Sequence, residues 1–204
     1  MTGAPLLPAF DDLREKLVTH YVAGRWRAPL ESAGISLTLP SGLIQGQLVQ
    51  AGVLDINRAV HHAHVFLASG ADNGAAYAQR IMQNRAQVLS MLQDAQRVES
   101  GAIGCVVPAP EPQLQSVPRP VALLLPARLA PAAQLSLIEQ VLSRGRPLIV
   151  KPAPGGAISA TVLFDALHAL ALPPGMVALL QGDGPGTGAL IASHPDIETL
   201  RIRA

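Results

Sequence analysis

Four groups of residues in this sequence are of types that could do chemistry. Lys151 stands before Pro152 at the end of an apolar run, where a lone cation is either a solvated cap at a strand's end or a contact for a ligand. Downstream, Gly182-Asp183-Gly184-Pro185-Gly186-Thr187-Gly188 has the glycine content of a loop that wraps a phosphate. A Gly-x-Gly-x-x-Gly fingerprint begun at Gly182 needs glycine where Thr187 stands, and one begun at Gly184 needs it where Ala189 stands. The segment therefore reads better as a strand-to-helix turn than as a phosphate cradle. Cys105 is the only thiol, and no basic neighbour in Gly104-Cys105-Val106 would raise its thiolate fraction. It reads as a structural cysteine. His61, His62 and His64 suggest a metal, but zinc on a helix wants ligands four apart with a third group nearby. Only His61 and His64 share a side, so the three read as solvated helix residues. Arg80, Arg85 and Arg97 lie on one long helical pattern that could meet a partner, and a solvated face is the plainer reading.

Composition narrows the function classes. One cysteine in 204 residues excludes an internal disulfide and a cysteine-rich metal site. Fifteen basic and 14 acidic residues give a formal charge of +1 with no basic stripe, which speaks against nucleic acid. No run of 18 apolar residues escapes a charge or a proline, so no membrane span is expected. Met1 to Arg14 has no basic segment ahead of an apolar run, and Asp11 and Asp12 interrupt it early. No secretory signal is read, and the expected location is cytoplasmic. The hydrophobic fraction of 49% suffices for a sizeable core. Charged residues make up 14%, below the usual quarter, which fits either a well-covered sheet or a surface closed by a partner.

The elements that must position these residues fall into two parts. Residues 1–107 open with a helical spacing over 10–20. The segment Tyr21-Val22-Ala23-Gly24-Arg25-Trp26 follows, then an alternating strand over 35–39, the turn Pro40-Ser41-Gly42 and a returning strand over 43–50. This is a small β-meander. Helices are expected over 55–68 and 74–98, with Gly70 and Asn73 between them. Residues 108–120 hold five prolines and read as a linker. In residues 121–204, apolar runs at 121–126, 147–150, 176–180 and 200–202 alternate with helical segments at 131–144, 159–170 and 187–193. Short unalternating strands between helices predict a buried parallel sheet of about four strands with flanking helices, a truncated Rossmann-like layer in an α/β protein.

The order of several short motifs resembles the aldehyde dehydrogenase superfamily. Pro126 opens, and Lys151-Pro152 closes, a segment similar to the family's Pro-Trp-Asn-Phe-Pro, helix and Lys-Pro. Gly145 falls at the glycine that ends that helix. Leu172-Pro173-Pro174-Gly175, Gln181-Gly182-Asp183-Gly184 and His194-Pro195-Asp196 are similar to Leu-Pro-Pro-Gly, Thr-Gly-Asp-Gly and His-Pro-Asp segments in the same order. At the front, residues 21–26 resemble a Tyr-Ile-Asn-Gly-Glu-Trp hairpin, and Ile56-Asn57-Arg58-Ala59-Val60 a Val-Asp-Arg-Ala-Val helix. Only residues 100–119 have no counterpart, as though a helical and β-strand segment were shortened there.

The resemblance implies a chemistry, and the departures from it imply its loss. The family's reaction uses a cysteine thiolate, an asparagine that holds the oxyanion, a glutamate base and a nicotinamide that accepts hydride. The resemblance places the cysteine and the glutamate beyond the strand in which residues 200–204 fall, and with them the Gly-Ser turn whose helix faces the pyrophosphate. The oxyanion asparagine falls at Arg128, and its neighbours are Ala127, Leu129 and Ala130. The ribose-binding glutamate falls at Pro154, which has no side-chain acceptor. The resemblance leaves Lys151 as a cofactor contact, with Gly182 and Gly184 beside it. No catalytic residue and no metal ligand are expected. We expect no aldehyde oxidation from this chain by itself and no assured cofactor, NAD or NADP remaining open. The first reading is a pseudoenzyme that acts as an interaction or assembly module, with self-association or a protein partner, and without nucleic acid or membrane. The alternative is an NAD(P)-binding subunit of a split aldehyde dehydrogenase completed by another chain.

Overall fold

The computed structural model describes residues 10–31, 33–38, 45–70, 74–101 and 114–202. Helix α1 (Phe10–Leu17) leads into strands β1 (His20–Val22) and β2 (Arg25–Arg27), and then β3 (Gly34–Thr38) and β4 (Gln45–Val49). Helices α2 (Val53–Ala68), α3 (Gly74–Gln83) and α4 (Arg85–Ser100) follow. The second part runs β5 (Val121–Leu125), α5 (Pro131–Ser143), β6 (Leu148–Pro152), α6 (Ala157–Ala169), β7 (Val177–Leu179), α7 (Ala189–Ser193) and β8 (Glu198–Arg201).

The expected four parallel strands are present in the order β7-β6-β5-β8. Going outward from β5, the chain first builds β6 and β7 on one side and then crosses to place β8 on the other. Strands β5, β6 and β7 are apolar over most of their length on both sides because both sides are covered, whereas β8 is polar and part-exposed. Val121, Leu123, Leu148, Val150, Val177 and Leu179 share one core cluster with residues of α3 to α6. Ala122, Ile149, Ala178 and Leu180 share a second with Ile56, Ala59 and Val60 of α2 and Ile191 of α7.

The expected meander is the β3–β4 hairpin, a two-stranded sheet of its own. Residues 21–26 go elsewhere. Ala23 and Gly24 take φ of 54° and 77°, a two-residue reversal of the type that matches strand twist. This hairpin extends the main sheet, with β1 antiparallel to β7 through Tyr21 and Leu179. Tyr21 is buried between Trp26 and Phe164, and its hydroxyl meets His168 Nδ1 at 3.2 Å. Trp26 Nε1 donates to Asp165 at 3.0 Å.

The single helix expected over 74–98 is two helices. Asn84 leaves the helical region at φ −101° and ψ 8°, and its side-chain amide donates back to the Arg80 carbonyl at 2.9 Å. The break lets α3 pack on α5 while α4 lies against both α5 and α6. A short-range polar side chain competing with the helix ladder is the physical cause. Helix α4 ends on Gly101 at φ 72°, the left-handed cap that glycine supplies.

Of the linker expected over 108–120, residues 108–113 lie outside the described residues, as does Cys105. Its remainder is pinned by Arg146. The guanidinium donates to the carbonyls of Arg119 at 2.6 Å and Gln115 at 3.1 Å, and to Glu198 at 2.8 Å. Glu198 in turn accepts from the Gln115 N–H at 2.7 Å. Among the described residues, no helix is long and apolar enough to cross a membrane.

Candidate functional site

The strand order itself singles out a place. Where a parallel sheet reverses direction, the loops on either side diverge and leave a crevice at the carboxyl ends of the strands. Here the reversal lies between β5 and β8. A cavity of about 530 Å³ opens at that point, lined by Leu124 and Leu125 of β5, Lys151 of β6 and Arg201 of β8, with Gly184 and Gly188 on its other side.

Register explains why these side chains meet. Lys151 is paired with Leu124, and Leu124 with Arg201. Paired residues of parallel strands present their side chains to the same face, so the three form one row across β6, β5 and β8. Strands lie about 4.8 Å apart, which puts the two cationic residues about 10 Å apart at their backbones. The row belongs to the face covered by α2 and α7, because Ile149, two residues before Lys151, packs there.

Lys151 is 4% exposed, yet no hydrogen bond or ion pair engages its ammonium among the described residues. Burial pushes its pKa down to about 8, against the pull of the Asp183 carboxylate. A buried cation without a partner is costly, and it marks a place where a ligand can supply the missing charge.

The glycine segment follows β7 and forms one wide helical turn over 184–188, closed by the Gly188 N–H on the Asp183 carbonyl at 3.0 Å. Gly182 is required for packing: a Cβ there would lie 2.0 Å from Thr187 Oγ1. Thr187 is itself held by a 2.8 Å hydrogen bond to the Ala51 carbonyl. Gly186 N–H donates to the Asp183 carboxylate at 2.7 Å, and Gln50 Nε2 reaches the same oxygen at 3.2 Å. Asp183 thus sits where an external anion would have to sit, and the turn is filled by the protein's own carboxylate. Gly184 and Gly188 face the cleft. A Cβ on Gly188 would come within 3.9 Å of Lys151 Nζ, and one on Gly184 would meet nothing within 4 Å.

The structure therefore brings together Lys151 and Gly184, two of the residues expected at a cofactor site, and turns Gly182 inward against Thr187. Arg128 is exposed at the bend after β5, while Leu129 and Ala130 beside it are buried. Gln96 and Gln134 both donate to the Leu129 carbonyl, at 2.6 and 2.8 Å. Pro154 opens a single 3-10 turn over 154–156 that leads into α6. His61 and His64 are exposed and His62 is half-buried edge-on to His61. No group of three metal-ligating side chains occurs among the described residues.

Sequence reasoning missed Arg201. Its signal was present: a cation between Leu200 and Ile202 in the last apolar run. Also missed was the buried trio of His20, Asp55 and Arg58. Asp55 accepts from the Leu30 N–H and from Arg58, each at 2.9 Å, and lies 3.7 Å from His20. Burial holds the His20 pKa near 4 despite Asp55. The neutral ring is a fixture that accepts from the Gln181 N–H at 3.3 Å.

Comparison with known proteins agrees with this geometry. Residues 132–203 match the family described as Aldehyde dehydrogenase family. The 3-succinoylsemialdehyde-pyridine dehydrogenase of Pseudomonas sp is 35% identical over 72 residues, 35% of this chain and 13% of that protein. Aldehyde dehydrogenase tropH of Talaromyces stipitatus aligns at 26% identity over 97% of this chain and 46% of its own length. Among solved structures, aldehyde dehydrogenase C of Pseudomonas syringae, a C291A mutant with NAD+ and octanal, superposes at a TM-score of 0.67 with 17% identity. That match covers 92% of this chain and 45% of the other. An aldehyde dehydrogenase from Bartonella henselae gives 0.71 at 18% identity, covering 88% and 45%. Each match takes in less than half of the relative's length. The family match over residues 132–203, the fold and the motif order agree in making this chain similar to the aldehyde dehydrogenases.

Proposed function

We propose that this chain is an aldehyde dehydrogenase-like binding and assembly module that holds the adenosine end of NAD(P) in the β5–β8 cleft without carrying out the oxidation with its own residues. The observation that carries the reading is Lys151: a buried, unpartnered ammonium aimed into the crevice where the sheet reverses. The residues fit a nucleotide. Leu124, Pro126 and Ala189 offer an apolar wall, and Gly184 and Gly188 leave room for a sugar to approach the backbone. Bound NAD(P) would supply a hydride acceptor.

The chemical partners of such an acceptor are poorly represented in the cleft. The position the family resemblance gives to an oxyanion asparagine is the exposed Arg128. A long flexible cation is not a preorganised donor. Among the described residues, the cleft lining holds no thiol and no carboxylate. Titration calorimetry of the 204-residue chain with NAD and NADP tests the reading. Millimolar or tighter binding that vanishes in Lys151→Met is expected, with no NAD(P) reduction when an aldehyde is added. Aldehyde-dependent reduction by the purified chain would defeat the non-catalytic part, and absence of heat with either nucleotide would defeat the binding part.

One observation favours assembly with another chain. Among the described residues β8 is an edge strand, paired only on its β5 side, with Leu200 half-buried and Arg201 exposed. Unpaired edges are places where chains add strands. Light scattering across a dilution series is the check. A monomer at every concentration would remove self-association and leave the split-enzyme alternative to rest on a partner chain alone.

A further inference from the structure

We propose that the outer edge of β2, with the cations of β2 and α2 beside it, docks an extended segment of a partner protein in which acidic residues alternate with apolar ones. This surface lies at the opposite edge of the sheet from the β5–β8 cleft, so the proposal does not rest on the nucleotide reading.

Register gathers the cations. Arg25 pairs with Val22 and Arg27 with His20, and cross-strand partners share a face. Val22 packs with Ile56, Ala59 and Val60, so that face is the one covered by α2. On α2, Arg58, His61 and His62 stand three and four residues apart and share a side. Arg58 ties the two elements by donating to the Ala28 carbonyl, just past β2, at 3.1 Å. Burial lowers the His62 pKa, and the positive field of His61, Arg27, Arg58 and Arg25 lowers it further. No stripe of cations marks this patch in the sequence, because two separate elements build it.

The patch lacks its counter-charge. Among the described residues, the one carboxylate bonded to any of these five side chains is Asp55, which is wholly buried and already holds Arg58 and the Leu30 N–H. Arg27 spends its Nε on the Val22 carbonyl at 3.1 Å. Arg25 is exposed and has no salt bridge or side-chain hydrogen bond among the described residues. Like charges held together in this way favour an anion.

The backbone gives that anion a shape. β2 ends the six-stranded sheet and pairs only with β1 among the described residues. After a two-residue reversal, Val22 and Arg25 form a hydrogen-bonded pair, and the pairs alternate from there. The Trp26 N–H and C=O therefore point to the open side. A strand added there would set one residue opposite Trp26 and its two neighbours opposite Arg25 and Arg27. The flanking pair meets guanidinium groups, and the residue between them meets the half-buried indole on the other face. Charges on an edge strand repel unwanted strands. These same charges admit an acidic one.

Trp26 is the single tryptophan of the sequence, so its fluorescence reports on β2 directly. The experiment titrates the purified chain with four probes: a short peptide alternating glutamate with valine, its isomer with the glutamates in one block, the alternating peptide with an N-methylated backbone, and oligothymidylate of equal charge. The alternating peptide should shift the Trp26 emission and bind roughly fivefold or more tightly than each of the others. Arg25→Gln should weaken it up to about fivefold, Arg25→Glu further, and Arg25→Lys least. Arg25 is exposed, so these variants should keep the wild-type circular dichroism spectrum. Added salt should weaken binding. No spectral change at millimolar peptide would overturn the proposal. So would binding that Arg25→Glu leaves unchanged, since the peptide would then sit elsewhere. Equal binding of the block isomer or the N-methylated peptide would reduce the surface to a charge and overturn the strand. Tighter binding of oligothymidylate would overturn the protein partner in favour of nucleic acid.

Discussion

Strand β6 carries a buried cation near each of its ends, and the two are treated in opposite ways. Arg146, just ahead of the strand, is 5% exposed and spends its guanidinium on two carbonyls and the Glu198 carboxylate. Lys151, near the strand's other end, is 4% exposed and meets no partner within bonding distance. Solvent exclusion is nearly the same, so exclusion does not distinguish them. The difference lies in whether the chain completes the charge itself. At the amino end of the sheet it does, and the result ties the linker to β8. At the carboxyl end it does not, and an open crevice lies in front of the ammonium. One end completes its own charge, and the other leaves a charge facing an open crevice.

The contrast is sharpest if one partner is taken away at the closed end. Arg146→Met should leave two carbonyls and one oxygen of the Glu198 carboxylate without donors, the other oxygen keeping the Gln115 N–H. Breaking one side of a buried, fully bonded ion pair costs about 3–5 kcal/mol. Urea unfolding followed by circular dichroism should show that loss. The double variant Arg146→Met/Glu198→Leu should regain a good part of it, because both charges are then gone. A loss below about 1 kcal/mol for the single variant would mean that Arg146 is no better completed than Lys151.

Glu99 is a second closed charge and tests the same idea through pH. Its carboxylate crosses from the end of α4 to the start of α6 and accepts from Ile158 N–H at 2.8 Å, Ser159 N–H at 3.3 Å and Ser159 Oγ at 2.5 Å. Burial nevertheless raises its pKa to about 7, the three hydrogen bonds opposing it. The folded state therefore holds a proton between about pH 4.5 and 7 that the unfolded chain has released. Stability from this group is greatest below pH 4.5, falls as pH rises to 7 and is level above. Over that window the fall is at most about 3 kcal/mol. Glu99→Gln should remove the slope. Unfolding midpoints at pH 5 and pH 8 will show it, and parallel curves for the two proteins would count against the assignment.

The same two ends differ in how far sequence reveals them. The parallel strands were legible because Val121-Ala122-Leu123-Leu124-Leu125 and Pro147-Leu148-Ile149-Val150 are apolar without alternation, which only two-sided burial explains. Lys151 stood out for the same reason, as a charge at the end of such a run. Arg146 did not. Its carboxylate is 52 positions away, and Glu99 is 59 positions from Ile158, so no local pattern joins them. Asn84 looked like any helix surface residue, since its effect depends on a bond its side chain makes back to Arg80. The hairpin at 21–26 was legible as a hairpin but not as an extension of the main sheet. The strand it joins lies more than 150 residues downstream. Arg201 needed the β5–β8 register before its neighbours could be named.

The smallest effect is expected at the open end, and its sign is the informative part. Lys151 titrates near 8 in the folded chain and at 10.5 when unfolded, because burial disfavours the charged form. Below pH 8 the folded state bears the full cost of that charge. Between about 8 and 10.5 the unfolded chain alone is protonated, so stability rises with pH until the cost is gone. Lys151→Met should therefore stabilise the free protein at pH 7 by about 1 kcal/mol, after allowance for screening at the cleft mouth. The gain should shrink toward pH 10. A bound phosphate reverses the balance, since it favours the ammonium. Nucleotide binding should take up protons at pH 8.5 and weaken as pH climbs past 8, which calorimetry in two buffers of different ionisation heat can measure. Destabilisation by Lys151→Met at pH 7 would show that the lysine is completed within the chain after all, and the distinction between the two ends of β6 would fail.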